Sequence, residues 1–137
     1  EYEMIRLETL MAPHSVGLFF LYFATGIGLW IVFNYVYLRI TPYDEHKQIA
    51  AGKMAPAIAL VGAEIGFMLP LVIASLYGGS WLGFVAWGIL AGLVQLGCFK
   101  LMYWRMEGVE SDNRAVAVNF AGASVCVGII NALSMIP

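Results

Sequence analysis

Four apolar stretches, each close to the ~20 residues that cross a bilayer, dominate this chain: roughly Gly17 to Leu38, Ala55 to Leu76, Trp81 to Tyr103 and Ala115 to Ile136. Glu64 and Lys100 are the only charges inside them. An open sheet of such segments would leave backbone donors and acceptors unpaired in lipid, so helices are expected. The 137 residues suffice for one membrane domain, and 61% hydrophobic with 12% charged residues excludes an ordinary soluble surface. The leading residues 1–15 are acidic, lack a basic start and precede no small-residue cleavage site, which argues against a signal peptide. Met4, Leu7 and Met11 share a face at helical spacing, so this outer segment reads either as a short surface helix or as a partly ordered tail.

The chain also repeats itself. Phe33-x-x-x-Tyr37-x-Arg39 closes one apolar run and Phe99-x-x-x-Tyr103-x-Arg105 closes another. Each half then resumes with small residues, Ala55-x-Ala57-x-x-x-x-Gly62-Ala63 and Ala115-x-Ala117-x-x-x-x-Gly122-Ala123. The expected fold is therefore all-α: an integral membrane four-helix bundle made of two helical hairpins, residues 16–76 and 81–137, related as a parallel repeat. The pseudo-twofold axis of such a repeat runs along the membrane normal, unlike that of inverted-repeat transporters.

Arg39, Lys47, Lys53, Lys100, Arg105 and Arg114 gather at one end, and only Arg6 lies at the other. The positive-inside rule makes the basic end cytoplasmic and both termini external. Tyr35, Tyr37, Tyr43, Tyr103 and Trp104 are expected to form the inner aromatic belt, with Tyr2, Tyr77 and Trp81 in the outer one. Thr41-Pro42 should end the first span near Ile40. Residues 43–52 read as an amphipathic helical run-in to the second span, with Ile49 and Ala50 opposite Glu45 and Lys47. Gly78-Gly79-Ser80 forms the outer turn between the halves.

Small residues line particular faces: Ala55, Ala59 and Ala63 beside Gly62-x-x-x-Gly66, Gly88-x-x-x-Gly92, and Ala117, Ala121, Ser124 and Gly128. In lipid such faces let backbones approach, either within one chain or between copies. Cys98 and Cys126 lack metal-like spacing and read as small buried thiols.

Glu64 is the one ionisable group deep in the membrane. It stands ten residues into its helix, on the order of 15 Å from the helix start and near the bilayer midplane. A carboxyl there costs ~2.5–3.5 kcal/mol unless it faces protein or water. Pro70 cannot donate to the Gly66 carbonyl, which leaves an acceptor one turn below. The repeat sets Ser124 at the position equivalent to Glu64, and a twofold axis would bring the two together. Gln95, Asn119 and Asn131, with Thr25 and Asn34, complete the intramembrane polar set. Two interpretations stay open: a proton or cation path through Glu64, or a protonated Glu64 that ties helices together by a hydrogen bond. Against the first, the sequence offers no second acid or base as a relay.

His14 and His46 fall on opposite sides of the membrane and cannot share a metal. There is no nucleophile–base pair, phosphate loop, zinc spacing or haem motif, so the chain reads as no enzyme and as needing no cofactor or metal. A net charge of −2 implies no nucleic-acid partner. The expected partners are membrane lipids, further copies of the chain, and a cytoplasmic protein docking on Arg39, Asp44, Glu45, Lys47, Arg105 and Arg114.

Thr41-Pro42-Tyr43-Asp44-Glu45, followed by Gly52, Ala55, Ala57, Ala59, Gly62-Ala63, Gly66-Phe67 and Pro70-Leu71, resembles the signature of a bacterial inner-membrane family, domain of unknown function 350, the YjfL-like proteins. The resemblance covers almost the whole chain past Ser15. It implies a four-helix inner-membrane protein without an established activity. It also implies a genomic neighbourhood of phage-shock-type coat proteins and ATP-grasp ligases, hence envelope maintenance or stress. Two residues depart from the pattern: Lys53 replaces a small polar residue, commonly asparagine, and Glu64 replaces an apolar one.

Overall fold

The computed structural model describes residues 13–137 together with Met4. The expectations for Tyr2, Arg6, Leu7 and Met11 lie outside the described residues. Four helices are long and apolar enough to span a membrane: α1 (Pro13–Ile40), α3 (Met54–Tyr77), α4 (Trp81–Leu101) and α5 (Arg114–Leu133). Between them lie a short α2 (Glu45–Ala50) and a 3-10 turn, η1 (Tyr103–Met106). At ~1.5 Å per residue the shortest span is about 30 Å long, which matches a hydrocarbon core.

Three helices start on a local side-chain cap. Ser80 Oγ accepts from Gly83 N (3.1 Å) at α4 and Asn113 Oδ1 from Val116 N (3.2 Å) at α5, both N-caps that satisfy an orphan donor. Asp44 Oδ1 does the same for Lys47 N (3.1 Å) at α2. Lys53, at the N-cap of α3, makes no such bond. The second half supplies it instead: Asp112 Oδ1 accepts from Ala55 N at 2.8 Å. Asp112 sits at φ 64°, a conformation that Asp tolerates better than most residues. The departure at Lys53 therefore has a structural counterpart, because Lys53 Nζ donates to the Glu110 carbonyl at 2.8 Å. These two bonds stitch together the loops of the two halves.

The centre of the bundle is α3, whose most extensive neighbour is α5. Ala55, Ala59, Gly62, Ala63 and Gly66 are all buried on it. A Cβ on Gly62 would collide with Ala121, and one on Gly128 would collide with the Gly66 carbonyl. That carbonyl is the acceptor freed by Pro70, and it lies against the α5 backbone. The small-residue faces thus pack within one chain. One aromatic from each span fills the space beside them: Phe33 stacks on Phe67 (4.2 Å between centroids), and Phe99 bridges Phe33 (6.1 Å) and Phe120 (5.7 Å). The helix α1 is peripheral, with 6% of its apolar window buried against 44% for α3.

Several expectations are corrected. Residues 43–52 are not a run-in to α3, because Gly52 at φ 82° ends α2 and Lys53 is extended. On α2 the buried face is that of Glu45, Gln48 and Ile49, at i, i+3 and i+4, while Ala50 is exposed. The third span stops at Leu101, not Tyr103, and tightens into η1. Tyr37 and Tyr43 are core residues, not belt residues, whereas Tyr35, Tyr103, Trp104, Tyr77 and Trp81 are exposed as expected. Cys98 is half-buried, but Cys126 is exposed.

Candidate functional site

The intramembrane polar residues divide into two groups. Gln95, fully buried on α4, donates from Nε2 to the Ser124 carbonyl at 2.9 Å. Ser124 Oγ returns to its own helix at the Phe120 carbonyl (2.9 Å), and Asn131 Nδ2 reaches the Ala91 carbonyl (3.0 Å). The Gln95 and Asn131 bonds fasten α4 to α5, each worth about 0.6 kcal/mol on average in a membrane. Asn119 is exposed on the outside of α5 and joins no cluster.

Glu64 lies elsewhere. The buried residues of α5 include Ala117, Phe120, Ser124 and Gly128; those of α3 include Ala59, Gly62, Ala63 and Gly66. Ser124 faces inward, but Glu64, its counterpart in the expected repeat, stands one residue past buried Ala63, or about 100° around the helix. The expected approach of Glu64 to Ser124 is therefore absent, because α3 and α5 bury different faces. Glu64 turns toward α1 instead, beside Asn34 and Trp30. There it lines a groove of about 640 Å³ between α1 and α3, otherwise walled by apolar groups such as Tyr22, Ile27 and Met68. Asn34 itself bonds the Trp30 carbonyl (3.1 Å), and Thr25 accepts from Trp81 Nε1 (2.8 Å).

At the basic end, Arg39, Asp44, Lys47, Arg105 and Arg114 are exposed as a docking surface requires. Arg39 and Arg105 lie over the rings of Tyr35 (5.0 Å) and Trp104 (5.1 Å). Asp44 pairs with Lys47 at 3.5 Å, and the Lys47 backbone N–H holds its carboxyl below the usual range. Glu45 does not belong to this surface. It is 1% exposed, turned into the bundle end beneath Tyr37 and Tyr43. Burial pushes its carboxyl up to about 7, while the nearby Tyr37 and Tyr43 hydroxyls pull the other way. Burial likewise pushes the Tyr43 phenol up. Both phenols lie close to the carboxylate, yet no pair reaches hydrogen-bonding geometry.

Among the expected docking residues, Glu45 is the one that lies inside the protein. Its spacing with Lys47, opposite Ile49 and Ala50, suggested the polar, docking face of an amphipathic helix. The usable signal was spacing: with Gln48 and Ile49 it shares one face of a short helix laid across the bundle end. Glu45 is thus a second acid buried in the protein, outside the spans that hold Glu64.

Residues 8–135 match the family described as Domain of Unknown Function (DUF350). The chain belongs to the DUF350 family. It is similar to the UPF0719 inner membrane protein YjfL of Escherichia coli strain K12, with 31% identity over 133 residues that cover 94% of this chain and 96% of the relative. The protein of that name from E. coli O157:H7 matches to the same extent. No solved structure matches. With its four spanning helices, this DUF350 member is a multi-pass inner-membrane protein.

Proposed function

We propose that this protein is a non-catalytic scaffold of the inner membrane, assembled from several copies, whose cytoplasmic end docks soluble partners that serve envelope maintenance. The stitching of the two basic-end loops carries this proposal. Lys53 to the Glu110 carbonyl and Asp112 to Ala55 N fix one loop against the other. Arg39, Asp44, Lys47, Arg105 and Arg114 are thereby displayed on a preformed end, which lowers the ordering cost of docking. The largely unburied α1 offers a face to another copy. The role in envelope stress leans on the family resemblance, and the inward placement of the basic loops leans on their charge. Purification of the full chain in nanodiscs tests the proposal. A soluble protein should co-purify and be lost when Arg39, Lys47, Arg105 and Arg114 are reversed to Glu; equal yields from both forms would refute docking there.

A second function is favoured by the place of Glu64 in the α1–α3 groove: a proton or cation conductor assembled from several copies. Vesicles loaded with a pH dye provide the test. Flux that disappears in Glu64→Gln while assembly persists supports conduction, and flux no greater than that of empty vesicles removes it.

A further inference from the structure

Both carboxylate oxygens of Glu45, the hydroxyls of Tyr37 and Tyr43, and Oε1 of Gln48 are buried without a hydrogen-bond partner among the described residues. Buried polar atoms ordinarily find partners, so a cluster of them at one place calls for a missing participant. The titratable groups acting on Glu45 are Tyr37 from α1, Tyr43 from the connection before α2, and Glu64 from α3. None is a cation. Lys47, on the same short helix, is paired with Asp44 at the exposed side of α2, and neighbouring His46 is itself exposed. A charge so placed lacks a counter-charge, and burial disfavours it.

We propose that Glu45, Tyr37 and Tyr43 form a buried proton-binding site that communicates with water past Tyr43. Protonation removes the uncompensated charge and adds a donor, so three hydroxyls then share the oxygens of the carboxyl, the phenols and Gln48. Tyr43 forms part of the wall of a cleft of about 330 Å³ at the basic end, with Glu107 and Glu110 also lining it. Behind that wall lies Glu45. Tyr43 thus borders the cleft and is acted on by both Glu45 and Glu110. The position of Glu45 near 7 places the exchange at neutral pH. Tyr37 is close enough to feel both Glu45 and Glu64. Asn34 lies one turn along the same helix, beside Glu64. Continuation of the site toward Glu64 rests on the conduction proposal; the Glu45 site itself does not.

Infrared difference spectroscopy of the full chain in nanodiscs tests the site, in a Glu64→Gln background that silences the acid within the spans. Between about pH 5 and about pH 9 we expect a carboxylic-acid carbonyl band with a midpoint of about 7, absent from the Glu45→Gln variant. Tyr43→Phe should raise the midpoint by about one unit, because the phenol favours the ionised form. Replacing sodium with N-methylglucamine at fixed pH should leave the band unchanged. The proposal is overturned if Glu45→Gln retains the band. It is also overturned if the midpoint falls with the exposed carboxylates, or if sodium or potassium abolishes the band at fixed pH, which would make this an alkali-cation site. Should Glu45→Gln fail to fold, an unmoved midpoint in Tyr43→Phe is equally fatal.

Discussion

At the scale of single residues, Glu45 and Asp112 make opposite uses of a carboxylate. Glu45 is held above its ordinary value of 4.5, at about 7. Its folded form binds a proton that the unfolded chain has already released, so stability is greatest below about 4.5, falls as pH rises through about 7, and is level above. The span amounts to on the order of 3 kcal/mol. Thermal unfolding in detergent should show this decline in the wild-type protein and a flatter profile in Glu45→Gln. Asp112, by contrast, acts as an acceptor for the first turn of α3. Asp112→Ala removes that cap and puts a less tolerant residue at positive φ, so we expect a loss of about 1–2 kcal/mol in unfolding free energy. Asp112→Asn, which keeps both properties, should recover most of it. The sequence displayed neither role. A capping bond between distant loops leaves no local pattern, and an acid next to Lys47 and Asp44 looks solvated until the helix that carries it is laid against the bundle.

Among the elements, α3 and α5 approach most closely because glycines meet backbone there. Gly128→Ala should force the pair apart, since its Cβ would overlap the carbonyl of Gly66; overpacking of this kind costs about 1–3 kcal/mol. Gly122, earlier on the same helix, has nothing within 4 Å of a Cβ position. Gly122→Ala should leave the melting temperature unchanged or raise it slightly, so the two alanine variants measured side by side separate packing from helix propensity. The existence of the four spans was legible, because long apolar runs admit no other solution in lipid. The small-residue rows were legible too. Which face each row would present was not, because α3 must touch α1, α4 and α5 while α5 lies at one side, and that asymmetry rotates the interior face of one helix relative to the other. The pairing of Glu64 with Ser124 failed for this reason.

For the whole molecule, three helices form the packed body and α1 lies alongside, in contact with α4 and α3. The groove that holds Glu64 is the seam of this attachment. If the basic end faces the cytoplasm, a reporter fused after Pro137 should be external and one inserted at Glu110 internal; the reverse pattern would invert the docking proposal. Copies meeting along α1 should cross-link through Phe23→Cys, which lies on the exposed flank of the groove, and dilution in lipid should abolish the link.

The bonds between the loops also bear on how the chain can be divided. Neither hairpin is self-sufficient: the first borrows its helix start from Asp112, and the second gives its Gly128 face to Gly66. Cutting the chain at the exposed Gly79 turn would leave both reciprocal debts in place. Two separately expressed fragments should therefore find each other in the bilayer and reconstitute the parent, while either fragment produced alone should be degraded.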